Sequence, residues 1–231
     1  MTPDLNIPLI AVQFVLFLMA LTLHECSHAW TANRFGDPTA RLQGRISLSP
    51  LPHIDPVGTI LFPLLGAISG VPVIGWARPT PVDPANLAHP RRDGLWISAA
   101  GPLSNLLLAT VFLFVLGVGS RSGLLVPSSP SFAHGEAIGA HLFQFAFLGF
   151  LVNVSLAFFN LLPIPPLDGG GVLGGLLPES MAQAVDRVGQ FGFIILYALI
   201  LIPVGGLSLL SWLFLPVRLA SDFAVRLVIG V

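Results

Sequence analysis

His24-Glu25-Cys26-Ser27-His28 sets two imidazoles four residues apart, on one face of a helix, where both can ligate one zinc ion. The carboxylate beside the first is placed to act as general base on a zinc-bound water. From residue 9 to residue 23 only Gln13 and Thr22 interrupt the apolar run that leads into the pair. Ionisable groups in such surroundings are costly, and function is the default explanation for them. The chemistry to expect is zinc-dependent hydrolysis inside a bilayer. Cys26 reads as a small apolar filler between the two histidines rather than as a third ligand.

A catalytic zinc takes three protein ligands and keeps one position open for water. The carboxylates are few enough to test one by one. Glu136 and Glu179 fall in a loop and a polar link, and most aspartates fall in loops. Asp168 differs: it follows an apolar helix end and precedes Gly169-Gly170-Gly171, which permit sharp turns and close backbone approach. An Asx turn is its alternative role, but beside an intramembrane histidine pair a ligand role is preferred. Asn160 lies one helical turn before a proline break. It either donates to a substrate backbone or tetrahedral oxyanion or makes a helix-end hydrogen bond. His53, with Asp55, either lines the cavity or forms a polar turn before Pro56. Trp76, Trp96 and Trp212 read as interfacial anchors.

The elements that must position these groups are apolar. The chain has 231 residues, 54% hydrophobic and only 9% charged, with a mean hydropathy of +0.86. Soluble domains carry roughly 25% charged residues, so an integral membrane protein is expected. The ten cationic side chains are all arginine, and the net charge of -1 leaves no basic patch for nucleic acid. A single cysteine excludes an internal disulfide. The first apolar segment lacks a basic leader and a small-residue cleavage site and reads as a retained helix, not a signal peptide.

Apolar segments fall at about 7–35, 57–76, 95–118, 136–162 and 191–229, the last divided at Pro203-Val204-Gly205-Gly206. Residues 41–49 alternate apolar and polar and predict a short strand or hairpin, whose edge at residues 45–49 could capture an unwound substrate. The 57–76 segment is broken by Pro63, Gly66, Gly70 and Pro72. If it spans, the arginines outside the last helix divide four and four across the membrane; if it enters and leaves on one face, only Arg121 lies opposite the rest. The positive-inside rule favours the re-entrant form. So does ligand depth, because an all-spanning path puts the exits of the first helix and of the 136–162 helix roughly 30 Å apart. The expected fold is all-α and polytopic, with about five transmembrane helices, a re-entrant segment and a short β-hairpin or strand region near the cytosolic face. It forms one membrane-embedded domain, residues 1–231, with a core at 7–175 and C-terminal helices at 190–229.

Three motifs occur in order: HECSH at 24–28, GPLSN at 101–105 and NLLPIPPLDGG at 160–170. Together with PHIDPVGT at 52–59 they make the chain resemble the site-2 protease family of intramembrane zinc metalloproteases, in a compact form without PDZ or CBS domains. The resemblance implies one zinc on His24, His28 and Asp168, with Glu25 as base and Asn160 in a substrate or oxyanion role. It implies substrates that are transmembrane proteins or peptides, reached within the lipid bilayer from a site facing the cytosol. A multi-pass protein of a prokaryotic plasma membrane is the expected setting, and no feature of the sequence sets an oligomeric state. Two rival readings use the same residues: a membrane metal-ion transporter and a catalytically silent membrane interaction protein.

Overall fold

The computed structural model describes residues 6–69, 75–129, 132 and 136–230. Among the described residues, three helices are long and apolar enough to cross a membrane: α1 (Ile7–Arg34), α4 (Pro90–Arg121) and α5 (Ile138–Asn160). Between α1 and α4 lie two short helices, α2 (Thr39–Leu42) and α3 (Phe62–Ser69). After α5 come α6 (Asp168–Leu176), α7 (Glu179–Gly189) and α8 (Gly192–Leu201), then strands β1 (Pro203–Val204) and β2 (Leu207–Ser208), then α9 (Leu209–Ile229). α1 starts where the Asn6 side chain accepts the Leu9 N–H and Pro8 occupies the first turn, where a missing N–H costs nothing.

α4 is the central element. It packs against α1 and α6 along the half that carries the site and against α5 and α9 along the other. In the second half Ala109 and Leu116 of α4 meet Phe143, Ala146 and Phe150 of α5 and Val225 of α9. Small residues at such contacts let helices approach, which matters where lipid supplies no hydrophobic drive for association.

The chain that leaves at residue 56 comes back to the same place at residue 76. A π-helical turn, Pro56–Leu61, opens the excursion, with the Asp55 carboxylate accepting the Val57 and Gly58 N–H groups. At its return the Trp76 N–H donates to the Gly58 carbonyl at 3.2 Å, and the Thr59 hydroxyl donates to the Trp76 carbonyl at 2.8 Å. Arg45, only 3% exposed, donates to the carbonyls of Pro52 (2.6 Å) and Arg78 (3.2 Å) and ties both ends to the loop after α1.

One expectation is corrected. Residues 41–49 form no strand: Thr39–Leu42 is helical, Gly44 (φ 71°) reverses the chain, and the Arg45 side chain is turned inward to backbone carbonyls. No strand edge is therefore offered at residues 45–49. The hairpin lies at 203–208 instead, antiparallel, with Gly205 (φ 60°) and Gly206 (φ 86°) forming a two-residue turn that requires positive φ at both positions. By length and composition, the described residues offer three spans outright. α7 and α8, bent by 62°, make at most a fourth, and α9 carries Arg218, Asp222 and Arg226.

Asp37, fully buried just beyond α1, holds the loops together. Its carboxylate accepts from the Thr39 N–H (3.0 Å) and hydroxyl, the Asp83 N–H (2.7 Å) and the Asn86 amide (2.9 Å). Burial pushes this carboxyl upward, but the hydrogen bonds outweigh it and hold the pKa below the usual carboxylate value. The stability it contributes is therefore present above the unfolded value of about 3.9 and is lost as pH falls through the lower folded value. Asp37→Ala leaves buried donors unmet and should cost about 1–3 kcal/mol at pH 7. Thermal melting in detergent should show that gap from wild type narrowing as pH is lowered through 4.

Candidate metal centre

α1 presents His24 and His28 on the face turned toward α4 and α6, 3% and 7% exposed. The rings meet edge to face, 4.7 Å between centroids. Opposite them stands Asp168, the first residue of α6, with its carboxylate 3.0 Å from His24 Nε2 and 3.3 Å from His28 Nε2. The local chain explains that placement. Pro163 to Pro166 turn back so tightly that a Cβ at Gly170 would sit 2.7 Å from Pro165, and Leu167 is extended just before α6 begins. Asp168 thus enters the site at a helix start, with no Asx-type cap at that position.

The protonation of this cluster can be read from its neighbours. His28 Nδ1 lies 2.6 Å from the Ile97 carbonyl, which can only accept, so Nδ1 carries a hydrogen and Nε2 is the nitrogen turned to Asp168. His24 Nδ1 lies 2.6 Å from Asn105 Oδ1. Asp168 Oδ2 is buried with no hydrogen-bond donor. Ligand atoms from all three residues fall within 4.8 Å of one another. Lone pairs facing one another in a buried site repel unless a positive charge sits between them. Two imidazole nitrogens and a carboxylate are the donor set of a catalytic divalent transition-metal site, so the residues fit a metal. Gly101 of α4 makes room: a Cβ there would lie 2.6 Å from His24 Nε2 and still nearer to His28 Nε2.

Glu25, 8% exposed, faces the same cavity. Its Oε2 accepts from the Thr80 N–H (3.1 Å) and the Thr80 hydroxyl (2.8 Å). Thr80 stands between Pro79 and Pro81, so its N–H is the only backbone donor in that tripeptide, and it is spent on the carboxylate. The other carboxylate oxygen is left for chemistry.

The cavity measures about 490 Å³. Its polar floor is His24, Glu25, His28, Asp168, Thr80 and Asn160; its walls include Phe17, Leu21, Leu156, Phe159, Phe193 and Leu196. Asn160, the last residue of α5, lines it while donating one amide hydrogen to the Leu156 carbonyl at 3.0 Å. His53 does not line it: 1% exposed, it lies 3.0 Å from the Ser47 carbonyl and props the loop that Arg78 joins. Trp76 forms cavity wall against Phe62 and Phe193. Asn105 and Thr80 were not singled out as site residues from the sequence. Only the Pro-Thr-Pro spelling and the glycine of the 101–105 motif hinted at chain held rigidly or packed closely there.

Comparison with known proteins agrees with this geometry. The family model described as peptidase family M50 matches residues 12–203. YwhC of Bacillus subtilis, provisionally named a zinc metalloprotease, is 37% identical over 191 residues, 83% of this chain and 80% of its own. Rip2 of Mycolicibacterium smegmatis, with the same provisional description, is 34% identical over 208 residues, 90% of this chain and 72% of its own. The Rip2 protein of Mycobacterium tuberculosis (strain H37Rv) is 34% identical over 200 residues, 86% and 68%. No solved structure matches the chain.

Asp168 lies 140 residues beyond His28 in sequence, yet the geometry makes it an equal partner. Asp168→Ala should leave the helical content intact and abolish stoichiometric metal. Elemental analysis of the detergent-purified protein checks this, and full metal retention would remove Asp168 from the centre.

Proposed function

Because the chain belongs to peptidase family M50, the site-2 protease family, we propose that it is an intramembrane zinc metalloendopeptidase that cleaves peptide bonds within or near transmembrane segments of membrane proteins. The observation that carries this reading is the convergence of His24, His28 and Asp168 beside Glu25 in a cavity walled by apolar helices. Zinc bound to those three residues supplies Lewis acidity, lowering the pKa of a bound water and polarising the scissile carbonyl.

The remaining steps belong to the chain. Glu25 takes the proton of the attacking water and returns one to the leaving amine. Thr80 holds one of its oxygens and leaves the other for this proton transfer. Asn160 has two amide hydrogens and spends one on Leu156, which leaves the second to donate to the developing oxyanion. A helical substrate hides its carbonyls in i to i−4 hydrogen bonds and must unwind locally before attack. The apolar cavity walls suit the side chains of such a segment.

The meeting of residues 58 and 76 supports a re-entrant 57–76 segment, and with it a site opening toward the arginine-rich, cytosolic face. The setting proposed is the plasma membrane of a prokaryote, with residues 1–231 as one embedded domain. Transport of metal ions through the same ligands would leave Glu25, adjacent to His24 and braced by Thr80, without a task. Glu25→Gln should keep zinc and reduce cleavage of a model transmembrane substrate in detergent by at least about 10²-fold. Undiminished cleavage would sink the mechanism, and zinc flux by the wild type in liposomes would favour transport instead.

A further inference from the structure

We propose that Asn105 and Asn153 form a buried amide relay that fixes the tautomer and orientation of His24, which makes both of them positioning residues of the metal centre. The inference rests on the reading of His24 as a metal ligand. Asn105 lies on α4 and Asn153 on α5, 0% and 1% exposed, where both helices meet α1.

The direction of every hydrogen bond follows from two backbone carbonyls. The Gly149 carbonyl can only accept, so the Asn153 group 2.8 Å from it is the amide nitrogen. That leaves Asn153 Oδ1 facing Asn105, whose amide nitrogen lies 3.1 Å away. The Ala20 carbonyl, also only an acceptor, lies 3.1 Å from the same nitrogen. Both amide hydrogens of Asn105 are thereby spent, and its Oδ1 must face His24 Nδ1 at 2.6 Å. An oxygen there requires a hydrogen on Nδ1 and makes Nε2, turned to Asp168, the nitrogen that would bind a metal. Turning either amide over would set oxygen against oxygen at a buried position, where an unmet polar group is costly.

The two ligands are thus held differently. His28 is oriented by a main-chain carbonyl, His24 by two side chains in series. Asn105 also grips α1 one turn earlier at Ala20, fixing ring and helix together.

The test uses the full chain in detergent. Zinc affinity is measured by chelator competition, and the visible spectrum of the Co²⁺-loaded protein reports ligand geometry. Asn105→Ala should weaken zinc affinity about 10–100-fold and alter the Co²⁺ bands, as loss of a ligand-orienting partner does elsewhere. Asn153→Leu, two bonds removed from the metal, should shift both readouts in the same direction by less. The double variant should be no weaker than Asn105→Ala alone, because Asn153 acts only through Asn105. Asn105→Asp keeps the acceptor but has no donors, and should not restore affinity. A lowered melting temperature with unchanged affinity and spectrum in Asn153→Leu would overturn the relay, as would additive losses or full restoration by Asn105→Asp. A measurement on the unaltered chain guards against misfolding of the variants: with ¹⁵N-labelled histidine, His24 should bind through Nε2 and carry a proton on Nδ1. Binding through Nδ1 would overturn the proposal. Wild-type protein that takes up no metal would overturn the reading of the centre itself, and the relay with it.

Discussion

His24, His28, Asn105 and Asn153 are buried together, and each polar atom placed there has to find its partner within the protein. That constraint shapes the neighbourhood more than apolar packing does. The hydroxyls of Thr22 and Ser27 fold back onto the carbonyls of Leu18 and Leu23 of their own helix. His28 takes the Ile97 carbonyl, His24 takes Asn105, Asn105 takes Asn153, and Asn153 closes the series on Gly149. Glu25 is met from the only N–H that the Pro79-Thr80-Pro81 stretch possesses. What remains is the cluster in which the two Nε2 atoms face only the Asp168 carboxylate. The chemistry is concentrated where the partnering stops.

The central place of α4 follows from the same demand. One face brings Ile97 to His28, Gly101 to both rings and Asn105 to His24, at successive intervals of four residues and hence one above another. A single stripe of α4 therefore serves both ligands while the far half of the helix packs against α5 and α9. Pro102 lies buried inside α4 next to Gly101, a placement that membrane-spanning helices tolerate.

Local information sufficed for part of this. The histidine pair and its glutamate announce themselves by type and spacing, and Asp168 emerged because so few carboxylates compete with it. Thr80 and Asn105 stayed hidden because their roles depend on which turn of one segment faces which turn of another, and hydropathy carries no record of such registers. The strand expected at 41–49 failed for a physical reason: alternation assumes that polar residues face out, whereas Arg45 points in to neutralise carbonyls. The hairpin formed where paired glycines permit positive φ. The spans at α1, α4 and α5 are plain, whereas α8 is ten residues long and α9 bears three charges, features that a broad hydropathy window averages away. Asn160 shows that two readings of a residue need not exclude each other, since it makes the helix-end bond and still faces the cavity.

The unlike supports of the two histidines bear on how such a site tolerates sequence drift. The acceptor for His28 belongs to the peptide backbone, so any residue at position 97 that keeps the helix supplies it. The acceptor for His24 is encoded, and a single replacement at position 105 or 153 breaks the series. Two ligands that look interchangeable in the pentapeptide are therefore unequally exposed to mutation. Drift at position 97 is constrained chiefly by packing, while positions 105 and 153 are bound to one another and can change only in concert.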